Sequence, residues 1–248
     1  MKNFIVLLTF VTCSISANAE KKIKPYSFKT AVVEYIYEGN ITGTQTLYID
    51  EYGWNQSEVI RTVTKSFGQK DEKNERKLTL GLDIYSWDQG AASGVKIRNT
   101  MLENLLEDPN FDIQDFAKRT MEGLGFQKTG SETFMGRDCE IWKGMGSTIW
   151  AWNGLALKTE IKLLGQRSVM TAINIKIDTP VPSDKFTVPL SIKFNEAGTT
   201  DPMEMMMKAM DQAEKENETP MDSNDQSEEG EAPVKSLKDL KGLLKQIK

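Results

Sequence analysis

Between residues 133 and 194 apolar side chains fall at nearly every second position, in four or five short runs broken by turns. Leu155, Leu157, Thr159, Ile161 and Leu163 share one parity, while Ala156, Lys158, Glu160 and Lys162 hold the other. The next run repeats the pattern, with Val169, Thr171, Ile173, Ile175 and Ile177 set against Met170, Ala172, Asn174, Lys176 and Asp178. A period of two sends alternate side chains to opposite faces of a strand, so each run predicts one dry and one wet face. Two neighbouring runs of this kind predict an antiparallel sheet curled over something apolar. The set Leu155, Leu157, Ile161, Ile173, Ile175 and Ile177 is the expected lining of a ligand cavity on the concave side.

The first half of the chain reads as a meander. A strand over 26–38, partly apolar on both faces, turns at Gly39-Asn40 into 42–50, and Tyr52-Gly53 leads to a third strand over 58–66. These are hairpin-length connections. Residues 68–76 read as a charged loop, 77–87 as a fourth strand, and 95–99 as a short strand after a glycine-bearing turn. Two helices follow. Thr100 is placed to cap a run over 101–107 that Pro109 stops, and Asp112 precedes a stripe of Ile113, Phe116, Ala117, Thr120 and Met121, with Gly123 and Gly125 at its end. Such a stripe must lie on the sheet, as a lid over the concave face or as a plug in one open end. The expected class is mainly β (α+β): an incomplete antiparallel β-barrel, a curled sheet with short helices covering its mouth.

The ends of the chain have other characters. Lys2, the apolar run 4–11 and Ala17-Asn18-Ala19 form the pattern of a cleaved signal peptide over 1–19, which implies export to the periplasm. The apolar run is far shorter than the roughly 20 residues that span a bilayer. Acylation at Cys13 would need a small residue where Thr12 stands. With 1–19 removed Cys139 is the one remaining thiol, so no internal disulfide is expected. Cys139 shares a strand face with Ile141 and reads as a buried, inert residue. The chain has no histidine, which removes the commonest general base and metal ligand. Asp83 with Asp88 and Glu140 with Glu160 are the best remaining carboxylate candidates, and none lies in an active-site motif. No catalysis, cofactor or metal site is expected.

Charge marks the domain boundaries. Residues 20–198 carry 23 basic and 24 acidic side chains, 199–233 carry 2 and 11, and 234–248 carry 5 and 1. A near-neutral folded part argues against nucleic-acid binding. In the tail, Asp201-Pro202-Met203-Glu204 is a helix start, followed by a stripe of Met203, Met206, Met207, Met210 and Ala213. Clustered thioethers suit copper(I) or form an adaptable apolar surface that docks on the barrel or on a partner. Residues 214–233 are too acidic to fold and predict a flexible linker. The last segment, 234–248, is basic and amphipathic, with Leu237, Leu240, Leu244 and Ile247 as its apolar stripe. It fits contact with an anionic membrane surface or an acidic protein partner, or a solubilising tail.

Gly136-Arg137-Asp138-Cys139-Glu140-Ile141-Trp142-Lys143-Gly144, then Ser147 to Trp152, then Gly154-Leu155-Ala156-Leu157-Lys158-Thr159-Glu160, resembles a pattern of exported bacterial domains. With Pro182-Ser183-Asp184-Lys185-Phe186-Thr187-Val188-Pro189 as a closing strand, it is similar to the outer-membrane lipoprotein carrier (LolA/LolB-like) superfamily. The resemblance spans 26–194 in strand order, with its specific residues between 136 and 189. It implies an incomplete barrel with helices over its mouth, an apolar cavity for acyl chains, and a cavity arginine holding the helical lid, for which Arg61 and Arg98 are both available. The expected function is that of an exported soluble binding protein, in envelope maintenance or transport, taking acyl chains of a lipid or lipoprotein. Two alternatives are an envelope scaffold working through the charged tail, and a carbohydrate-binding module. For the latter, Trp150 and Trp152 would be sugar platforms with Trp142 nearby, although Ala151 between them offers no polar group.

Overall fold

A computed structural model describes residues 23–66, 69–163 and 165–197 of the chain. Twelve strands form one sheet: β1 (Ala31–Gly39), β2 (Ile41–Asp50), β3 (Asn55–Ser66), β4 (Gln69–Leu80), β5 (Asp83–Asp88), β6 (Ser93–Arg98), β7 (Gln127–Phe134), β8 (Arg137–Gly144), β9 (Ser147–Trp152), β10 (Leu155–Leu163), β11 (Gln166–Ile177) and β12 (Lys193–Glu196). Their order is β12-β6-β5-β4-β3-β2-β1-β11-β10-β9-β8-β7. Two meanders therefore meet where β1 pairs antiparallel with β11, and β12 alone runs parallel to its neighbour β6. Helices α1 (Thr100–Leu105) and α2 (Ile113–Gly123) lie in the connection between the meanders.

The sheet is curled. Cys139 and Ile141 of β8 belong to the same buried cluster as Leu47 and Ile49 of β2. Five strand steps separate β2 from β8, about 24 Å in a flat sheet, and the cluster runs without a break across the strands between them, through Val33, Ala172, Leu157 and Trp150. Ala31 stands opposite both Ile177 and Ile49, and Val33 opposite both Ile175 and Leu47, which places β1 in the floor of the curl.

On β3 and β4 the opposite face is the buried one. Ser57 and Leu78, directly opposed, are both fully buried. The chain after β11 crosses this convex side as a strap. A 3-10 turn at Ser183–Phe186 contacts β3 and β4, Lys185 Nζ lies 5.7 Å from the Tyr48 ring, and β12 then docks beside β6. Phe194 meets Tyr85 and Trp87 edge-on, with centroids 5.1 and 5.6 Å apart. Gly94 makes room for it, since a Cβ there would sit 2.8 Å from the Phe194 ring.

Several expectations need correction. Residues 68–76 are not a loop: from Gln69 they are the first part of β4, paired along β3. Cross-strand and same-strand ion pairs such as Lys73–Glu75 at 2.6 Å place the charges on a solvated stretch of sheet. The expected strand over 77–87 is two strands, broken at Gly81, whose φ of 61° and closeness to the Trp54 ring favour glycine. The first strand starts at Ala31; residues 26–28 peel away, held by a bond from Tyr26 N to the Tyr52 carbonyl at 3.0 Å. The segment 182–189 is not a closing strand but the 3-10 turn of the strap, between Pro182 and Pro189.

The cap of α1 is Asn99 rather than Thr100, its Oδ1 accepting from Leu102 N at 2.9 Å. Asp112 caps α2 as the sequence predicts, accepting from the amides of Gln114 and Asp115 at 2.7 and 3.0 Å. Neither helix contributes a fully buried residue. Among the described residues no helix is long and apolar enough to cross a membrane. The signal-peptide pattern of 1–19, the methionine stripe, the acidic linker and the stripe of Leu237, Leu240, Leu244 and Ile247 lie outside the described residues.

Candidate functional site

Burial on the concave side is graded. Val33, Ile49 and Leu157 are sealed, Leu155 nearly so, and Met170, Ile175 and Ile177 pack against them while keeping part of their surface. Of the six residues expected to line one face, Leu155, Leu157, Ile175 and Ile177 come together. Ile161 and Ile173 do not, and are 42% and 52% exposed. For Ile173 the reason is a break in parity. Asn174 opposes Glu34 but Ala172 opposes Tyr35, so Ile173 is the extra residue of a bulge and Ala172 takes the inward place. Ile161 keeps its parity along β11, opposite Ser168 and two residues beyond Thr159, which opposes Met170, and is exposed because it lies towards the end of β10, beyond the buried cluster.

One end of the curl is filled by its own chain. Tyr26, Phe28 and Trp152 form a continuous stack with centroids 5.2 and 5.6 Å apart and planes within 8°. The Arg137 guanidinium lies 4.9 Å from the far side of Trp152. Gly53 permits the stack, because a Cβ there would lie 2.6 Å from the Tyr26 ring. Trp150 is buried, donates its Nε1 to Glu132 at 2.9 Å, and has Lys158 Nζ 4.3 Å from its ring. Trp142 is buried and donates to Glu140 at 3.1 Å. These three tryptophans are packed in place, so none of them presents an open ring face of the kind a sugar stacks on. Cys139 is fully buried in the cluster, and burial raises the pKa of its thiol.

Polar groups bound the apolar floor on β3. Glu58 stands directly opposite Leu47 on β2 and Lys77 on β4, and Gln45 directly opposite Tyr35. A chain of bonds runs along this margin: the Tyr37 hydroxyl donates to Gln45 Oε1, and Gln45 Nε2 donates to Glu58 Oε2 at 2.8 Å. Lys77 Nζ stays 3.9 Å from Glu58 Oε1. Burial pushes the Glu58 carboxyl above the ordinary glutamate value, with Lys77 opposing and Glu75 adding to the shift. Burial, then the Glu58 charge, lifts Tyr26 and Tyr37 to about 12, and burial, then the neighbouring Tyr26 and Tyr37, raises Tyr35 further. Sequence reasoning missed this margin, because its members come from three strands and no local motif joins them.

The other charged candidates sit in surface pairs. Asp83 holds Lys96 at 3.4 Å and Arg98 at 3.2 Å, Glu160 holds Arg167 at 2.8 Å and Lys162 at 3.1 Å, and Glu140 holds Lys128 at 2.6 Å. Asp88 is exposed. Hydrogen bonds from Lys128 to Glu140 and from Arg167 to Glu160 keep both carboxyls below the ordinary glutamate value. Arg61 is exposed on β3, away from the cluster. Arg98 also reaches Glu103 at 2.7 Å, tying α1 to β6.

No family model and no curated protein matches the chain. Among solved structures it is similar to an uncharacterized conserved protein from Thermus thermophilus, with 7% identity over 71% of this chain and 95% of that one at a TM-score of 0.42. It is also similar to MucB of the Pseudomonas aeruginosa MucA/MucB complex, with 13% identity over 65% of this chain and 56% of that one at a TM-score of 0.36. A third is the Mycobacterium tuberculosis lipoprotein LppX, with 13% identity over 63% and 90% at a TM-score of 0.30. The chain thus spans little more than half of MucB. At these values neither a ligand nor an activity transfers from any of the three.

Proposed function

We propose that this chain is an exported binding protein whose concave sheet face takes the acyl chains of a lipid or of an acylated protein, in transport or in maintenance of the cell envelope. The observation that carries the reading is the graded cover of that face. Its floor is sealed around Val33, Ile49 and Leu157, while Met170, Ile175 and Ile177 beside it remain partly accessible. An apolar surface of this kind, concave and edged by a few polar groups, is the usual form of a site for apolar ligands. Export rests on the sequence pattern of residues 1–19.

The test is uptake of a neutral naphthylamine probe whose fluorescence rises in apolar surroundings. Met170→Glu and Ile175→Glu are the informative variants, since their side chains retain access to solvent. Leu157→Glu is not, because an unpaired charge at a sealed position costs several kcal/mol and unfolds the domain. Probe uptake by the wild-type chain, lost in both variants while their thermal unfolding persists, is the expected result. Uptake unchanged in both overturns the assignment of the face.

A further inference from the structure

The polar margin on β3 bears on which amphiphile the apolar face would accept, a question that presupposes the acyl-chain reading above. Apart from the Lys77 ammonium, the hydrogen-bond donors along the margin are already committed. Tyr37 donates to Gln45, Tyr35 to the Ala156 carbonyl at 3.1 Å, Tyr26 to Gln56 at 3.3 Å, and Gln45 to Glu58. Lys73 is bound to Glu75 at 2.6 Å. Acceptor capacity, by contrast, is left over. Glu58 Oε1 faces Lys77 at 3.9 Å, beyond hydrogen-bond length, and the Lys77 side chain is 44% exposed against 21% for Glu58. A carboxylate head group arriving here meets the Glu58 anion, and the donor left open to it is the Lys77 ammonium, on the more exposed side of the margin. An ammonium meets a half-buried carboxylate with an open lone pair, in a setting where a charge-assisted bond is stronger than in water.

We propose that this margin is a head-group subsite, and that Glu58 makes it select amphiphiles bearing a primary ammonium over those bearing a carboxylate. The pH dependence has a fixed sign. The charged and titratable groups facing Glu58 are Tyr26, Tyr35 and Tyr37 on one side and Lys73, Glu75 and Lys77 on β4. The tyrosines stay neutral below their raised values and the Glu75 carboxyl is held below the ordinary glutamate value, so Glu58 is the group that changes. Ammonium binding requires the ionised carboxyl, so its affinity rises with pH through the raised Glu58 value and then levels off. Carboxylate binding runs the other way.

The experiment displaces the neutral naphthylamine probe from the full-length chain with dodecylamine, dodecanoate or dodecanol, all below micellar concentration, between pH 5 and 8. At pH 7.5 dodecylamine is expected to displace at a concentration at least about tenfold below dodecanoate, given a charge contact near 4 Å. Glu58→Gln removes that preference and leaves dodecanol unchanged. Equal displacement by the two charged chains in the wild type, or a preference that survives Glu58→Gln, overturns the subsite. Failure of the chain to take up the probe at all overturns the acyl-chain reading instead. An ethanolamine-headed lysophospholipid and an S-acylated peptide with a free amino terminus, in the same assay, tell a lipid source of the ammonium from a protein source. Neither displacing better than its amine-blocked counterpart counts against the subsite.

Discussion

Glu58 and Ser57 are neighbours in β3 and point to opposite faces, one to the polar margin of the concave side and one to the buried convex side. Nothing in the residues around them announces this difference, because it is made by β2, β4 and the strap. The carboxyl's raised pKa has a consequence for stability. The folded state holds a proton on Glu58 at pH values where the unfolded chain has lost it, so stability attached to this group is full below the ordinary glutamate value and is lost as pH rises through the folded one. Glu58→Gln keeps an acceptor for Gln45 and removes the ionisation. The variant is therefore expected to melt higher than the wild type at pH 8, with the difference closing towards pH 4; each kcal/mol regained is worth about 2–4 °C in a domain of this size. A lower melting temperature at pH 8 would mean that the bond to Gln45 or the Lys77 charge outweighs the burial of the carboxylate.

The two kinds of element differ in how they are held. Strands are fixed by long pairings, and β3 and β4 run in register from Asn55 opposite Leu80 to Ser66 opposite Gln69. Helix α2 was readable from its cap and stripe, since Asp112 and the spacing of Ile113, Phe116, Thr120 and Met121 are local signals, whereas the cap of α1 is Asn99 and not the Thr100 that the sequence suggested. Their packing is shallow, however, with no fully buried residue in either. Asp112→Ala removes two bonds to the first-turn amides, at a cost of about 1 kcal/mol. Because the helix is weakly coupled to the core, this cost is expected as faster amide hydrogen exchange within α2 while the global melting temperature stays within a degree or two. An equal fall in both would show that α2 folds as one unit with the sheet. The charged run 68–76 failed as a sequence reading for a related reason: its side chains suit a loop or an exposed strand equally, and only pairing with β3 decides between them.

At the scale of the molecule the sheet is covered on two sides by the segments that flank its β1 and β11 strands. Residues 26–28 fill one end of the curl through the Tyr26–Phe28–Trp152 stack, and the strap covers Ser57 and Leu78 on the convex side. The pairing and buried core described here lie between residues 23 and 197. Truncation after Ala197 keeps every pairing and buried contact named here and serves as the reference. Truncation after Asp178 removes the 3-10 turn, β12 and Phe194 together, exposes Leu78 and Trp87, and is expected to give an unstable, aggregating product. Should the two truncations melt alike, the strap is not part of the folded unit.

The sequence by itself determined that the chain is mainly β, that its second half is a run of antiparallel hairpins, that Cys139 is interior and where α2 begins, because alternation, caps and turns are written within a few residues of where they act. It could not determine which strands share a face once bulges intervene. Ile173 has the right parity and is exposed, whereas Ala172 has the wrong parity and is buried, since the register shift opposite Glu34 and Tyr35 exists only in the pairing of β11 with β1. Tertiary structure alone also decided the curl of the sheet, the aromatic stack across residues 26, 28 and 152, and the margin where Tyr37, Gln45 and Glu58 meet. Each of these depends on contacts between segments distant in the chain, and a contact between distant segments leaves no local period to read.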